Sequence, residues 1–489
     1  MRCLILISVF TAGATLHADD WPMGGRSSTR NPVSPEKHPI TDWQVPMEEA
    51  KAHNIRWSVE VGDRAIGGPV VAGGLVWVGT NNIRPLDPKL KDDRAILACF
   101  RATDGKFVYQ YAAERLPFSE DWPHQGLSGS PLIEGDRLWF CTNRREVVCL
   151  YIGSLQKGTG QPRVLWKFDM VKELGIQPRA QMIPGSDTQT SPAAFGDYLY
   201  VATCNGTAED HHVIPAPEAP SLVCINKTTG KVVWSDNSPG KDLMSGQYAS
   251  PLVVKIDDRV QVIHPQGDGW VRSFDAMSGK LLWKFDVNKK GSDWEFKRSG
   301  EKSKVYVLTT PVLADNHVLF ATGIFPEAYC GPGRLFCVDP KKSGDVSPEI
   351  DDGKGTGKPN PNSAVVWEYG PSAKPGEGIN LTQGSVAIDA GLVIASDVAG
   401  YIHCVDAKDG KRLWSHDTKS TIKSHPLIVD DKIFVGNEDS DVTILQLDRT
   451  KRVIARHEMG HPIVAPLVYS DRVLYVLTES RLFGISDKK

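Results

Sequence analysis

At 489 residues, 40% hydrophobic and 24% charged, the chain has a globular composition and is long enough to bury a large core. A formal charge of −3, with no Lys/Arg run longer than a pair, excludes the basic stripe that nucleic-acid binding needs. Beyond residue 18 no apolar run reaches the roughly 18 residues of a membrane helix, which excludes a helical membrane span.

The first 18 residues, MRCLILISVFTAGATLHA, combine one positive charge, a short apolar run and a small final residue. This is the pattern of a signal peptide cleaved after Ala18, and it predicts a soluble periplasmic or secreted protein. Cys3 lies within the leader and is not placed for lipid attachment. Residues 19–53 read as an irregular, Pro-rich segment lying across the fold.

An isolated strand follows at 54–61, carrying Trp57. After it a unit recurs: a small residue and Pro, an apolar strand, a turn, a second strand, a Gly hairpin, a third strand, and a fourth ending in Trp. Ser250-Pro251-Leu252-Val253, Val260 to Ile263, Gly267-Asp268-Gly269, Val271 to Asp275 and Ser278-Gly279-Lys280 before Trp283 show it whole. The units start at Pro69, Pro131, Pro192, Pro251, Pro311, Ser385, Pro426 and Pro466. Third strands repeat Cys99, Cys149, Cys224, Cys337 and Cys404. Fourth strands close on Trp166, Trp234, Trp283, Trp367 and Trp414, with Tyr109 in the first unit and no aromatic in the seventh. Residues 205–220 and 341–362 are insertions, the second with the composition of a mobile surface loop.

The last unit, from Pro466, stops one Trp strand short, and 54–61 is that missing strand. Unpaired sheet edges are a liability that closure removes. The reading is therefore an all-β protein, one eight-bladed β-propeller over 54–489, closed by its N-terminal strand and monomeric. The Trp set fills the wedges between blades and is not a cofactor box. Three hairpin disulfides, Cys141/Cys149, Cys204/Cys224 and Cys330/Cys337, are open alternatives to free core thiols.

Loops leading into the innermost strands line a propeller's funnel. There the sequence places Trp122, His124 and Gln125; Asp187, Thr188 and Gln189; Ser245, Gln247 and Tyr248; Gln383; His425; and His461. Trp122 or Tyr248 would stack on a planar ligand, Gln189, Gln247, Gln383 and His425 would hydrogen-bond it, and Asp187 is the acid nearby. The competing reading is that these positions are polar because water fills the channel. Other groups carry no chemistry: His211-His212 is too tightly spaced for one metal, Glu438 to Asp441 lacks a calcium loop's Gly and final Glu, and Gly353 to Lys358 lacks a phosphate loop's spacing. No metal site is expected.

The run Asp406-Ala407-Lys408-Asp409-Gly410-Lys411-Arg412-Leu413-Trp414 resembles the tryptophan-docking repeat of pyrroloquinoline-quinone (PQQ) alcohol dehydrogenases. It is equally similar to the repeat of BamB, a non-enzymatic outer-membrane assembly propeller. Trp21-Pro22, Ala219-Pro220-Ser221, Gly246 to Pro251, Gln266 to Trp270 and Gly331 to Leu335 resemble the exported PQQ-like propellers of planctomycete bacteria. The dehydrogenase resemblance implies PQQ between a Trp and a disulfide of adjacent Cys, a calcium ion held by Glu and Asn, and a catalytic Asp, which here would be Asp187. No two Cys are adjacent and no CxxCH haem motif is present. The expectation is therefore a binding or scaffold propeller for a protein or glycan partner, with no cofactor. A PQQ- and calcium-dependent oxidoreductase of alcohols or sugars is the alternative, and a polysaccharide-active enzyme the second alternative.

Overall fold

A computed structural model describes residues 20–46, 51–115, 123–177, 190–208, 212–295, 300, 302–323, 332–354 and 356–487. It is 43% strand and 3% helix, with eight blades in a ring, an all-β propeller as the repeat requires. The leader and its cleavage point lie outside the described residues.

Blade four is the simplest. Leu252–Ile256, Arg259–Pro265, Trp270–Asp275 and Leu281–Asp286 pair antiparallel in chain order from the axis outward. Inner strands are buried on both faces over most of their length, so apolar residues run together, as in Leu252-Val253-Val254 and Val262-Ile263, rather than strictly alternating. Six blades start at the residue after the one that the repeat marks. In the other two, strands begin at Ala387 and Val468, one residue later than Ser385 and Pro466 suggest.

Each Trp strand docks on the blade that follows. The Trp57, Trp166, Trp234, Trp367 and Trp414 indoles donate to Ala102 O, Lys227 O, Ala276 O, Ala407 O and Asp448 O, at 2.8–3.2 Å. Four of these rings lie against a turn glycine of that blade, and at Gly410 a Cβ would sit 2.7 Å from Trp367. Trp283 departs from the rule because blade five carries its insertion at that turn. Its indole donates instead to Gln261 Oε1 at 3.0 Å, and Gln261 Nε2 passes the link to Pro340 O at 3.1 Å.

Closure is as the missing strand requires. Ile55–Glu60 pairs antiparallel with Arg481–Ile485, Trp57 opposite Gly484 and Val59 opposite Leu482. One apolar cluster, including Trp57, Phe100, Phe434, Tyr475 and Phe483, runs from blade seven through blade eight into blade one.

One expectation needs correction, and one open alternative is decided. The 341–362 insertion is not simply a loop: Gly344–Asp345 adds a parallel strand beside Trp283 and Lys284, and Val346 is buried. Of the pairings left open by the sequence, neither Cys141 with Cys149 nor Cys204 with Cys224 forms a disulfide, and all four side chains are buried. Cys141 faces Val147 while Cys149 faces Trp139, so register separates the first pair. Cys330 lies outside the described residues.

The segment from residue 20 to 46 crosses the ring's axis and touches every blade. Trp21 bridges to Val71 of blade one, and Pro22 O accepts from Ile133 N of blade two at 2.8 Å. Arg30 donates to Pro192 O and Pro251 O, which lead into blades three and four, at 2.9 and 3.3 Å. Thr29 O accepts from Leu313 N of blade five at 2.9 Å, and Asn31 exchanges two bonds with Ile388 of blade six. Val33–Ser34 forms a parallel strand on blade seven, and Glu36 accepts from Arg472 N of blade eight at 2.7 Å. Farther on, Trp43 stacks on His457 with ring centroids 3.9 Å apart.

Candidate functional site

Inner strands start at the axis, and alternate residues of an extended chain face the same way. The residue just before each strand's lead position therefore faces the channel, and so does the one two places earlier. The nearer tier contains Gly68, Ser130, Ser191, Ser250, Thr310, Ser385, His425 and Pro466. The farther tier contains Ile66, Ser128, Tyr248, Leu308, Gln383, Lys423 and Val464. With Trp21, Gly24, Gly25 and Arg30 of the crossing segment at its base, they enclose a cavity of about 290 Å³. That is the small end of the roughly 300–1,000 Å³ typical of ligand pockets.

The nearer tier is stitched from blade to blade. Ser130 Oγ donates to Gly68 O, Ser130 N to Ser191 Oγ, Ser191 N to Ser250 Oγ, Ser250 N to Thr310 Oγ1, and Ser385 Oγ to Thr310 O, all at 2.9–3.3 Å. Small hydroxylic residues recur here because they satisfy backbone groups that ring curvature takes out of the sheets.

Charge enters the described wall from four side chains. Arg30 is 3% exposed, and its guanidinium donates only to carbonyl oxygens, including Gly24 O at 2.7 Å. Among the described residues no acid compensates it, and burial lowers its pKa to about 9. Arg64 has a buried Nε without a partner; burial lowers its pKa, opposed by longer-range attraction to Glu479 and Asp63. Lys423 pairs with Glu438 at 2.6 Å. Glu479 is the carboxylate of the wall, its pKa raised by burial against the pull of Arg64. Burial also lowers the His425 imidazole to about 4, so the ring is neutral at pH 7.

Of the residues expected from sequence, Tyr248, Gln383 and His425 line this cavity. The Tyr248 hydroxyl is held by Ser245 Oγ at 2.8 Å and Gly246 N at 3.1 Å, leaving its ring as wall. Gln247 does not line it. Its amide is consumed inside the blade, donating to Ser221 Oγ at 3.2 Å and accepting from Gly267 N at 3.0 Å. His461 is exposed and away from the wall. Trp122, Asp187, Thr188 and Gln189 lie outside the described residues. Sequence reasoning missed Arg30, Arg64, Lys423 and Glu479. Lys423 shares Gln383's position in its own blade, a signal available from the repeat; Arg30 lies on an irregular segment with no periodic signal.

The described wall does not fit a calcium-bound quinone. Glu479 has Arg64 and Lys423 for neighbours, which repel a divalent cation. Among the described residues no group of three His, Cys, Asp or Glu side chains could hold a metal, and every described cysteine is buried, outside any disulfide and away from the cavity wall.

A tryptophan-docked ring of eight blades is a β-propeller of the PQQ-like repeat class. The chain belongs to the family described as outer membrane protein assembly factor BamB, whose model matches residues 151–347 and 358–488. A quinohemoprotein alcohol dehydrogenase, ADH-IIG of Pseudomonas putida, is 25% identical over 162 residues, which span 31% of this chain and only 18% of that enzyme. Among solved structures, the quinohemoprotein alcohol dehydrogenase of Comamonas testosteroni superimposes with a TM-score of 0.63 at 13% identity, covering 96% of this chain and 81% of the enzyme. BamB of Moraxella catarrhalis gives 0.55 at 16% identity, covering 88% of this chain and 98% of that one. At such identities these likenesses establish the fold. No helix among the described residues is long and apolar enough to cross a membrane.

Proposed function

We propose that this protein is an exported binding propeller without catalytic turnover. Its central cavity takes a small ligand, and its loops and open face meet a protein or glycan partner. The observation that carries this is the cavity's construction. Its base is crossed by a segment bonded to all eight blades, and its described wall offers hydroxyls and cations with one carboxylate. That set can grip a ligand, but it supplies no general base beside a Lewis acid. Membership of a family named for an assembly factor supports the same reading.

The opposing reading, a PQQ- and calcium-dependent oxidoreductase with Asp187 as base and Trp122 and Gln189 against the quinone, is favoured by the match to ADH-IIG. One experiment separates the two. Purified protein is mixed with PQQ and calcium, and quinone binding and dye reduction by alcohols and sugars are followed. The binding reading expects neither; turnover that disappears in Asp187→Asn overturns it. Export is tested by N-terminal sequencing of periplasmic protein, which should begin at Asp19.

A further inference from the structure

Resting on the reading of the cavity as a binding site, we propose that its ligand is a small anion bearing carboxylate or phosphate oxygens, held by Arg30 at the base and Arg64 at the wall. Arg30 is a buried cation that, among the described residues, meets only carbonyl dipoles. Leaving such a charge without an acid is unfavourable, and a ligand's negative charge relieves it. A planar guanidinium also matches the paired oxygens of carboxylate or phosphate.

The hydroxyl tier points the same way. Ser191 Oγ, Ser250 Oγ and Thr310 Oγ1 each accept a backbone N–H, which leaves each O–H proton without an acceptor among the described residues. Three neighbouring blades thus present three unspent donors to one cavity. Gly24 keeps the approach clear: a Cβ there would lie 3.5 Å from Ser191 Oγ and 3.6 Å from Arg30 Nη1, so both atoms face the same space. The described wall's carboxylate, Glu479, is counterbalanced by Arg64, so the net charge of the described lining is positive. A volume near 290 Å³ limits the occupant to a small molecule.

Titration calorimetry with citrate, inorganic phosphate and neutral sorbitol tests this on the whole protein at low and high salt. The expected result is binding of citrate, phosphate or both, weakened by salt and absent for sorbitol; the better of the two identifies the headgroup. Arg64→Gln should weaken it by about tenfold or more, the scale of a hydrogen bond to a charged group. Gly24→Val should abolish it by filling the approach, with no change of charge and an unchanged circular dichroism spectrum. Failure of both anions to bind at millimolar concentration, or equal binding by Arg64→Gln, overturns the proposal. Sorbitol binding that Gly24→Val removes would overturn the anion while leaving the cavity as a ligand site.

Discussion

Gly410 has no room for a methyl group, and its backbone would resist one. Its φ of +72° is left-handed and a Cβ would meet the Trp367 ring at 2.7 Å. Gly391 has nearly the same φ, +73°, but nothing within 4 Å. Ala at either position costs about 1–2 kcal/mol of backbone strain. Gly410→Ala should lose more than Gly391→Ala in urea unfolding, and the difference measures the docked ring. Equal losses would mean that Trp367 moves aside freely. His264 makes a separate point. It is fully buried, neither ring nitrogen has a partner, and burial, aided by Arg272, lowers its pKa to about 3. The folded protein therefore keeps it neutral while the unfolded chain protonates it near pH 6.5. Its contribution is fully present above pH 6.5 and is lost as pH falls towards 3, by up to about 1.4 kcal/mol per pH unit. His264→Leu should flatten the fall of Tm between pH 7 and 5, whereas an unchanged slope would assign acid sensitivity elsewhere.

At the scale of strands, the closing pair of Ile55–Glu60 with Arg481–Ile485 carries the ring. Removing residues 54–61 deletes Trp57 from the seam and exposes the edge of blade eight. Truncating a buried Trp alone costs about 3–5 kcal/mol. The deletion should therefore lower Tm by several degrees in a thermal melt, and an unshifted Tm would show that the ring closes without it. This strand is legible in the amino-acid sequence alone, because a Trp strand ahead of the first unit and a missing one after the last admit one simple closure. The insertion of blade five is not. Its Gly, Lys and Asp content signals a loop, and the two-residue pairing of Gly344–Asp345 with blade four has no periodicity to betray it. The swap of partner by Trp283 is hidden for the same reason.

For the molecule as a whole, the crossing segment sets the limit of what sequence reveals about the site. Tyr248, Gln383 and His425 are readable because the repeat fixes where inner strands begin. Gln247 is misplaced by the same logic because it is one residue out of phase with Tyr248, and adjacent residues of an extended chain face opposite ways. Arg30 reaches the cavity only through a path that no pattern encodes. Deleting residues 20–46 should speed hydrogen exchange in the inner strands of all eight blades together, since each loses a bond to the segment. Acceleration confined to blades seven and one would show that the other contacts contribute nothing.

Such wiring also imposes an order of assembly. Glu36 meets Arg472 across 436 positions, and Ile55–Glu60 waits for Arg481–Ile485. The closing strand, synthesised early, can therefore settle only after the final blade has emerged, and until then the nascent molecule is an open crescent with bare edges. Chains cut short near residue 465 would lack the clasp and leave Ile55–Glu60 unpaired, so a prematurely terminated product is marked for proteolysis by its own geometry.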